Sequence, residues 1–257
     1  MVEKYEVPVK TVTEHYDNLS NEFNRFWNYS NSFVASLTAD IRHYLDLKSG
    51  DVFVDIGCGT GLYTLKLVDG VVPELKTICV DVSSRQLQNI PDKPGLVKVL
   101  SDAYDFAKAP GKFDKILLKE VMHHVKKKDE LIKELCRSLN ISGRVLIIIS
   151  PVKVNYPLFR KALSIRNKGR SIKRLLVKAM TDEGLTVEVY RKKYQVKIEK
   201  ERYFEMVRGR YMSFLSSLSD DELSLGVKEM EKVFSTLEHV VFFERYIFIL
   251  GQKTPIP

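Results

Sequence analysis

The chain has little of what marks a specialised class of protein. Cysteine is scarce: Cys58, Cys79 and Cys136 stand far apart in 257 residues. No pair has C-x-x-C spacing, so neither a disulfide scaffold nor a zinc knuckle is expected, and no metal site is assigned. Scattered thiols fit a reducing compartment. No run of about 18 apolar residues occurs, so no membrane span is expected. The opening Met1-Val2-Glu3-Lys4-Tyr5-Glu6 is charged and lacks an apolar stretch, so no secretory leader is read. A cytoplasmic location is the expectation. Internal repeats and low-complexity tracts are absent. With 44% hydrophobic and 10% aromatic residues, global disorder is excluded. A chain of 29.6 kDa can bury a substantial core without staples.

Charge is unevenly placed. The net charge is +8, yet residues 153–210 alone hold 17 Lys/Arg against 6 Asp/Glu. The remainder is therefore slightly acidic. Such a basic segment suits nucleic acid, anionic lipid or an acidic small molecule. It equally suits a solvated helix face and a strand edge guarded by lysine.

Short Val/Ile/Leu-rich runs at 51–56, 76–81, 97–100, 115–118 and 143–150 read as buried strands. Helical patterns at 32–45, 62–68, 84–89 and 129–139 alternate with them. That alternation predicts an α/β fold with a parallel sheet covered on both faces. Further on, 172–180 reads as a basic amphipathic helix, 186–190 as a strand and 240–250 as a final strand. Residues 199–238 look helical, with Ser219-Asp220-Asp221-Glu222 as a start signal. A stretch of that length is too long for a connector and is expected to act as a lid or pocket wall. The domain reading is an N-terminal arm over 1–30, a core of 31–198 and 239–257, and a helical insert at 199–238.

The strongest motif is Val54-Asp55-Ile56-Gly57-Cys58-Gly59-Thr60-Gly61, between a strand and a helix. Glycines permit a sharp turn and close approach of a ligand to the backbone. Asp81 ends the next strand, where an acid can accept hydrogen bonds from both hydroxyls of a ribose. No G-x-x-x-x-G-K-[ST] run exists, so a P-loop is excluded. A dinucleotide fingerprint fails too, because Leu62 stands where its third glycine belongs. Asp55 would repel a pyrophosphate but suits an ammonium group. A ligand with a ribose and a cationic amine but no phosphate satisfies these features, and S-adenosylmethionine is such a ligand.

The run from Val54 to Gly61 resembles the first motif of class I S-adenosylmethionine-dependent methyltransferases of the small-molecule type. Cys79-Val80-Asp81-Val82-Ser83, Ser101-Asp102-Ala103, Phe113 to Val125 and Leu139 to Leu146 resemble that family's later segments in order. The resemblance covers about 45–150 and implies a doubly wound, seven-stranded, mostly parallel sheet with a helical insert before the last strand. It implies that Gly57, Cys58, Gly59 and Gly61 lie along the cofactor and that Asp55 orders its amino-acid end. By the same resemblance Asp81 holds the ribose, Val82 packs on the adenine, and Asp102 and Ala103 meet the adenine edge. Lys119 joins the cofactor set, and Tyr16 is the arm residue that closes over it.

Methyl transfer is an in-line displacement, so alignment dominates. A general base is optional. His123 and His124 are the candidates, with Glu120 beside them. Placed on a helix, the two imidazoles would point about 100° apart, so one at most would face the pocket. Substrate choice is expected from Trp27 and Tyr29 in the arm and from Tyr203, Arg208 and Tyr211 in the insert. Aromatic walls with arginine forks suit a small carboxylate-bearing acceptor. Two alternatives stand beside this reading. One is an RNA or protein methyltransferase docking through 153–210. The other is a noncatalytic cofactor-binding protein.

Overall fold

The computed structural model describes Asp17, Phe26, residues 29–69 and residues 75–254. Tyr16 and Trp27 lie outside the described residues. Helix α1 (Asn31–Leu45) starts where the Ser30 side chain accepts the Phe33 N–H, and it ends on Asp46 in the left-handed region. Its apolar face, Phe33, Val34, Leu37, Ile41 and Leu45, is buried. Then follow β1 (Val52–Ile56), α2 (Leu62–Val68), β2 (Lys76–Asp81), α3 (Ser84–Gln88), β3 (Leu96–Leu100) and α4 (Ala103–Lys108). β4 (Phe113–Lys119), α5 (Lys128–Ser138) and β5 (Leu139–Ile149) complete the alternating half.

The C-terminal half comprises α6 (Arg160–Arg166), α7 (Lys173–Asp182), β6 (Leu185–Glu199), α8 (Lys200–Arg208), a 3-10 turn (Ser213–Ser217), α9 (Asp220–Val233) and β7 (His239–Lys253). The sheet has seven strands in the order β3-β2-β1-β4-β5-β7-β6. β1 to β5 are parallel, and β7 runs antiparallel between β5 and β6. This is the expected doubly wound architecture, with the helical insert before the last strand. The strand order reverses between β1 and β4, and their carboxyl ends therefore border a crevice. No helix among the described residues is long and apolar enough to cross a membrane.

The central strands are buried on both faces, as their unbroken Val/Ile/Leu content requires. Leu117, Leu146 and Ile148 face one core with α1 and the insert; Ile116, Leu118, Val145 and Ile147 face the other with α5 and α7. Each strand thereby serves two hydrophobic layers.

β6 departs most from its expected length. The strand expected at 186–190 extends as β6 to Glu199, paired along its whole length with β7. Along 191–199 Tyr194, Val196 and Ile198 are buried, while Arg191, Lys193, Gln195 and Lys197 are exposed. This is a clean period-2 alternation, and its lysines disguise a half-buried strand as a charge run. β6 lies at the edge of the sheet, where exposed lysine discourages pairing with another chain.

The insert is two helices, α8 and α9, joined through the 3-10 turn. α9 opens with a capping box: Ser219 accepts the Glu222 N–H, and Glu222 accepts the Ser219 N–H at 2.9 Å. Ser219→Ala should cost about 0.5–2 kcal/mol. At about 2–4 °C per kcal/mol for a domain of this size, calorimetry should show a fall of a few degrees in Tm.

Candidate active site

The glycine turn folds as its composition requires. Gly57, Gly59 and Gly61 have φ of 73°, 56° and 72°, the left-handed region that a Cβ opposes. At Gly57 a Cβ would also lie 2.3 Å from Val121 Cγ2. Gly57 and Cys58 both donate their N–H to the Val80 carbonyl, at 2.7 and 3.1 Å. These bonds bend the chain from β1 across the end of β2. Asp81 completes the tie: its carboxylate accepts from Gly59 N at 2.8 Å and from Ser83 N at 3.0 Å. Burial raises the Asp81 carboxyl, and those backbone donors pull it back. The Ser83 hydroxyl donates to Asp17, which brings one residue of the N-terminal arm to this strand end.

Asp55 is buried at the end of β1 and accepts the Thr64 hydroxyl. Burial pushes its carboxyl up to about 6, against the pull of Thr64 and Lys119. Cys58 is buried; the neighbouring Cys79 sulfur and then burial hold its thiol far above the usual range, so it is no nucleophile. Val82 follows Asp81 and is half-buried. Asp102 caps α4, accepting from Tyr104 N at 2.7 Å and Asp105 N at 3.0 Å, and Ala103 opens that helix. The Ser101 N–H donates to the Asp81 carbonyl at 3.0 Å, which ties the β3 loop to β2. The expected cofactor residues from Asp55 to Ala103 therefore gather along the carboxyl ends of β1, β2 and β3.

A second group of polar residues lies next to these, around the carboxyl end of β4. Lys119 Nζ sits 4.4 Å from the Tyr63 ring centroid and 5.4 Å from that of Tyr246. Burial lowers its ammonium pKa, against the opposing pull of Glu120, Glu244 and Asp55. Glu120 takes a left-handed backbone, φ 57°, a conformation that non-glycine residues rarely hold and that tends to mark functional sites. Its Oε2 accepts from the Ser150 hydroxyl at 2.8 Å, while its Oε1 is buried without a hydrogen-bond partner. The Tyr63 hydroxyl is likewise buried without a partner.

Glu244, on β7, is 1% exposed. Its two oxygens accept from Tyr29 at 2.9 Å and Tyr156 at 2.7 Å. Burial raises its carboxyl, and the two phenols oppose the rise. Phe242 joins the surrounding rings, its centroid 5.6 Å from Tyr29, 5.6 Å from Tyr203 and 5.9 Å from Tyr156. The Tyr211 hydroxyl lies 3.4 Å from that of Tyr203.

Tyr29, Tyr203 and Tyr211 thus converge from the arm and the insert on one buried cluster beside Phe242 and Glu244. Arg208 does not join them: it pairs with Glu231 at 2.9 Å on the outer side of the insert. Arg210 caps the insert's own turn, bonding the Leu215 and Leu218 carbonyls and Asp220. His123 and His124 occupy a turn before α5, not a helix, with ring centroids 3.8 Å apart. The turn lets both imidazoles lie on one side, which the helical reading did not allow. His123 is exposed at the turn, next to His124. Desolvation, with Arg166, Lys128 and Lys119 adding their charge, holds its imidazolium below the ordinary range.

Glu244, Tyr63, Tyr156 and Tyr246 escaped the sequence reading. A signal for Glu244 existed. Val240, Phe242, Glu244, Tyr246 and Phe248 alternate along the last strand and share its buried face, so an acid stands in an otherwise apolar register. Tyr63 and Tyr156 carry no comparable signal, because only the packing of separate elements brings them here.

Comparison with known proteins now settles the class. Residues 47–183 match the family model described as a methyltransferase domain, and the chain belongs to that family, within the class I S-adenosylmethionine-dependent methyltransferases. A protein of Anabaena variabilis assigned as a methyltransferase of an antibiotic biosynthesis pathway is similar in structure at a TM-score of 0.64 and 15% identity, over 83% of this chain and 96% of that one. A phosphoethanolamine N-methyltransferase of Haemonchus contortus, in complex with phosphomonomethylethanolamine and S-adenosylhomocysteine, matches at 0.60 and 17%, over 97% of this chain and 61% of that one. The [4+2]-cyclase SpnF matches at 0.60 and 15%, over 98% and 99%. At such identities the likeness is one of fold, and the cyclase marks that the fold hosts more than one chemistry.

The raised Asp55 carboxyl has a consequence for stability. A carboxyl whose folded pKa lies above its unfolded value contributes fully below about pH 4 and loses that contribution as pH rises through about 6. A shift of this size corresponds to ~3 kcal/mol. In the protein without cofactor, wild type should therefore lose stability relative to Asp55→Asn between pH 4 and 6, as urea unfolding at several pH values would measure.

Proposed function

We propose that this protein transfers a methyl group from S-adenosylmethionine to a small-molecule acceptor by in-line displacement. The observation that carries the reading is Asp81, held at the end of β2 by the Gly59 and Ser83 N–H groups beside an exposed Gly57. A carboxylate oxygen retains lone pairs after accepting one N–H, so Asp81 can still receive both ribose hydroxyls. Two acids at this turn, Asp55 and Asp81, oppose a phosphate and favour a cationic nucleoside.

When bound, S-adenosylmethionine supplies an electrophilic methyl group on a positively charged sulfur. In this assignment the backbone of Gly57, Cys58, Gly59 and Gly61 lies along its methionine and sugar portions. Asp55 orders the amino-acid end, Val82 packs on the adenine, and Asp102 and Ala103 meet the adenine edge. The arm over 1–30, with Tyr16, closes over the cofactor; the Asp17–Ser83 bond supports this. Lys119, within the field of Asp55, Glu120 and Glu244, marks the junction of donor and acceptor spaces. The insert over 199–238 forms the far wall through Tyr203 and Tyr211. His123, neutral at physiological pH, is available to receive a proton at the cleft mouth. Alignment of nucleophile and methyl within this wall contributes up to about 7–11 kcal/mol in the best cases.

Two measurements test this. Incubating the protein with S-adenosylmethionine and a metabolite extract should yield a cofactor-dependent product heavier by one methylene; its absence across diverse extracts would argue for a noncatalytic cofactor-binding protein. By calorimetry, Asp81→Ala should weaken S-adenosylhomocysteine binding at least ~10-fold, in line with losing charge-assisted hydrogen bonds. Unchanged affinity would refute the ribose role.

A further inference from the structure

The basic stretch 153–210 separates by face once it is folded. On β6, Lys192 turns toward α1 and pairs with Asp40 at 2.9 Å, on the side where Tyr194, Val196 and Ile198 are buried. Arg191, Lys193, Gln195 and Lys197 take the opposite side and are exposed. That side continues from Val187 and Ile247, which pack in one layer with Leu176 and Met180 of α7. Farther along the hairpin the cover ends: Val189 is 41% exposed and Val241 50%. The register sets Arg245 of β7, also exposed, directly opposite Lys193. β5 ends at Ile149, opposite Ile247, so this open face runs past the carboxyl edge of the parallel strands, the edge that carries the glycine turn.

The cations of this face are unmatched. Several others in the stretch have carboxylate partners: Lys161 has Glu222, Lys178 has Asp182, Arg208 has Glu231 and Arg210 has Asp220. Among the described residues, Arg191, Lys193, Lys197 and Arg245 have none. Lys193 Nζ lies 3.7 Å from the Phe243 ring centroid, and the Arg245 guanidinium 6.0 Å from it. Like charges directly opposite each other on neighbouring strands are destabilising, and an anion bridging them reverses that sign. Guarding a strand edge asks only for charge; a set of mixed sign would serve without the repulsion between Lys193 and Arg245. Exposed Arg170 and Arg174 flank Ile172, which packs in the same layer as Ile247, so the start of α7 adds cations to this side of the sheet.

Spacing selects the partner. Alternate residues of a strand repeat about every 6.4–6.8 Å, close to the interval between successive phosphates along an extended nucleic-acid strand. Arg191, Lys193 and Lys197 present such a line, with the Gln195 amide between the two lysines. A bilayer would ask for large apolar side chains to insert beside the cations. The open apolar side chains of this face are the short Val189 and Val241, and the Phe243 ring lies under Lys193. With that ring covered, the contact is to phosphate and carries no sequence preference. We infer that the outer face of the β6–β7 hairpin docks a single strand of nucleic acid. One phosphate bridges Lys193 and Arg245, and Arg191 and Lys197 hold others along the strand. This second binding surface is independent of the methyl-transfer reading and names no acceptor.

Fluorescence anisotropy of the full chain with a labelled oligouridylate, titrated at several salt concentrations, tests this. Three neutralised phosphates give a slope of log K against log salt of about −2, at about −0.7 each. Lys193→Gln combined with Lys197→Gln should weaken binding ~10-fold at low salt and make the slope shallower by about 1. Arg191→Gln combined with Arg245→Gln, an independent pair on the same face, should act alike. In both, Tm should be equal or slightly higher, because the repulsion between Lys193 and Arg245 is relieved. Lys228→Gln combined with Lys232→Gln removes the same charge from the exposed side of α9 and should leave affinity nearly unchanged. Absence of oligouridylate binding at low salt overturns the inference. Equal weakening by the α9 pair, which reduces the effect to net charge, overturns it too. So does preference for a duplex of the same length, or binding of phosphatidylserine vesicles with none of the oligonucleotide.

Discussion

The pair of hydrogen bonds from Gly59 and Ser83 to the Asp81 carboxylate is the constraint on which the site depends. It joins the turn after β1 to the end of β2. The bonds also keep a carboxylate in a partly buried place where it would otherwise protonate or turn to water. Three left-handed glycines make the turn narrow enough for this tie, and the Val80 carbonyl, accepting from Gly57 and Cys58, anchors it from below.

A second constraint comes from topology. The order β3-β2-β1-β4-β5 sets the ends of β1 and β4 side by side. Asp55 and Lys119, which terminate neighbouring strands, then share one field. The antiparallel hairpin of β6 and β7 extends the sheet on the far side and carries Glu244 into the same space. The arm and the β5–α6 connection each contribute a tyrosine, Tyr29 and Tyr156, and the insert contributes two, Tyr203 and Tyr211. None of these could form the cluster alone, and its polar groups are tolerable in a core only because most find partners.

Much of the alternating half was legible in sequence. Strand, glycine turn, helix and acid recur at short range, where backbone preference and hydrophobic period speak directly. Ser219 and Glu222 marked the start of α9 by the same local logic. The C-terminal half was less legible. The lysines along 191–197 masked the alternation of Tyr194, Val196 and Ile198, because a strand exposed on one face of an edge looks polar to any windowed reading. The turn holding His123 and His124 resembled a helix start, since the pattern that follows it is helical.

The sequence by itself determined the fold class and the glycine turn with the acid at the next strand end, because these lie on contiguous motifs whose spacing is set by one strand and one turn. Only the tertiary structure decided the buried cluster around Glu244. Tyr29, Tyr156, Tyr203 and Glu244 are separated by up to 215 positions between bonded partners, and no local period links them. Their meeting follows from how the insert and the last hairpin pack on the sheet, and the orphaned oxygen of Glu120 becomes visible only once that packing has excluded water from it.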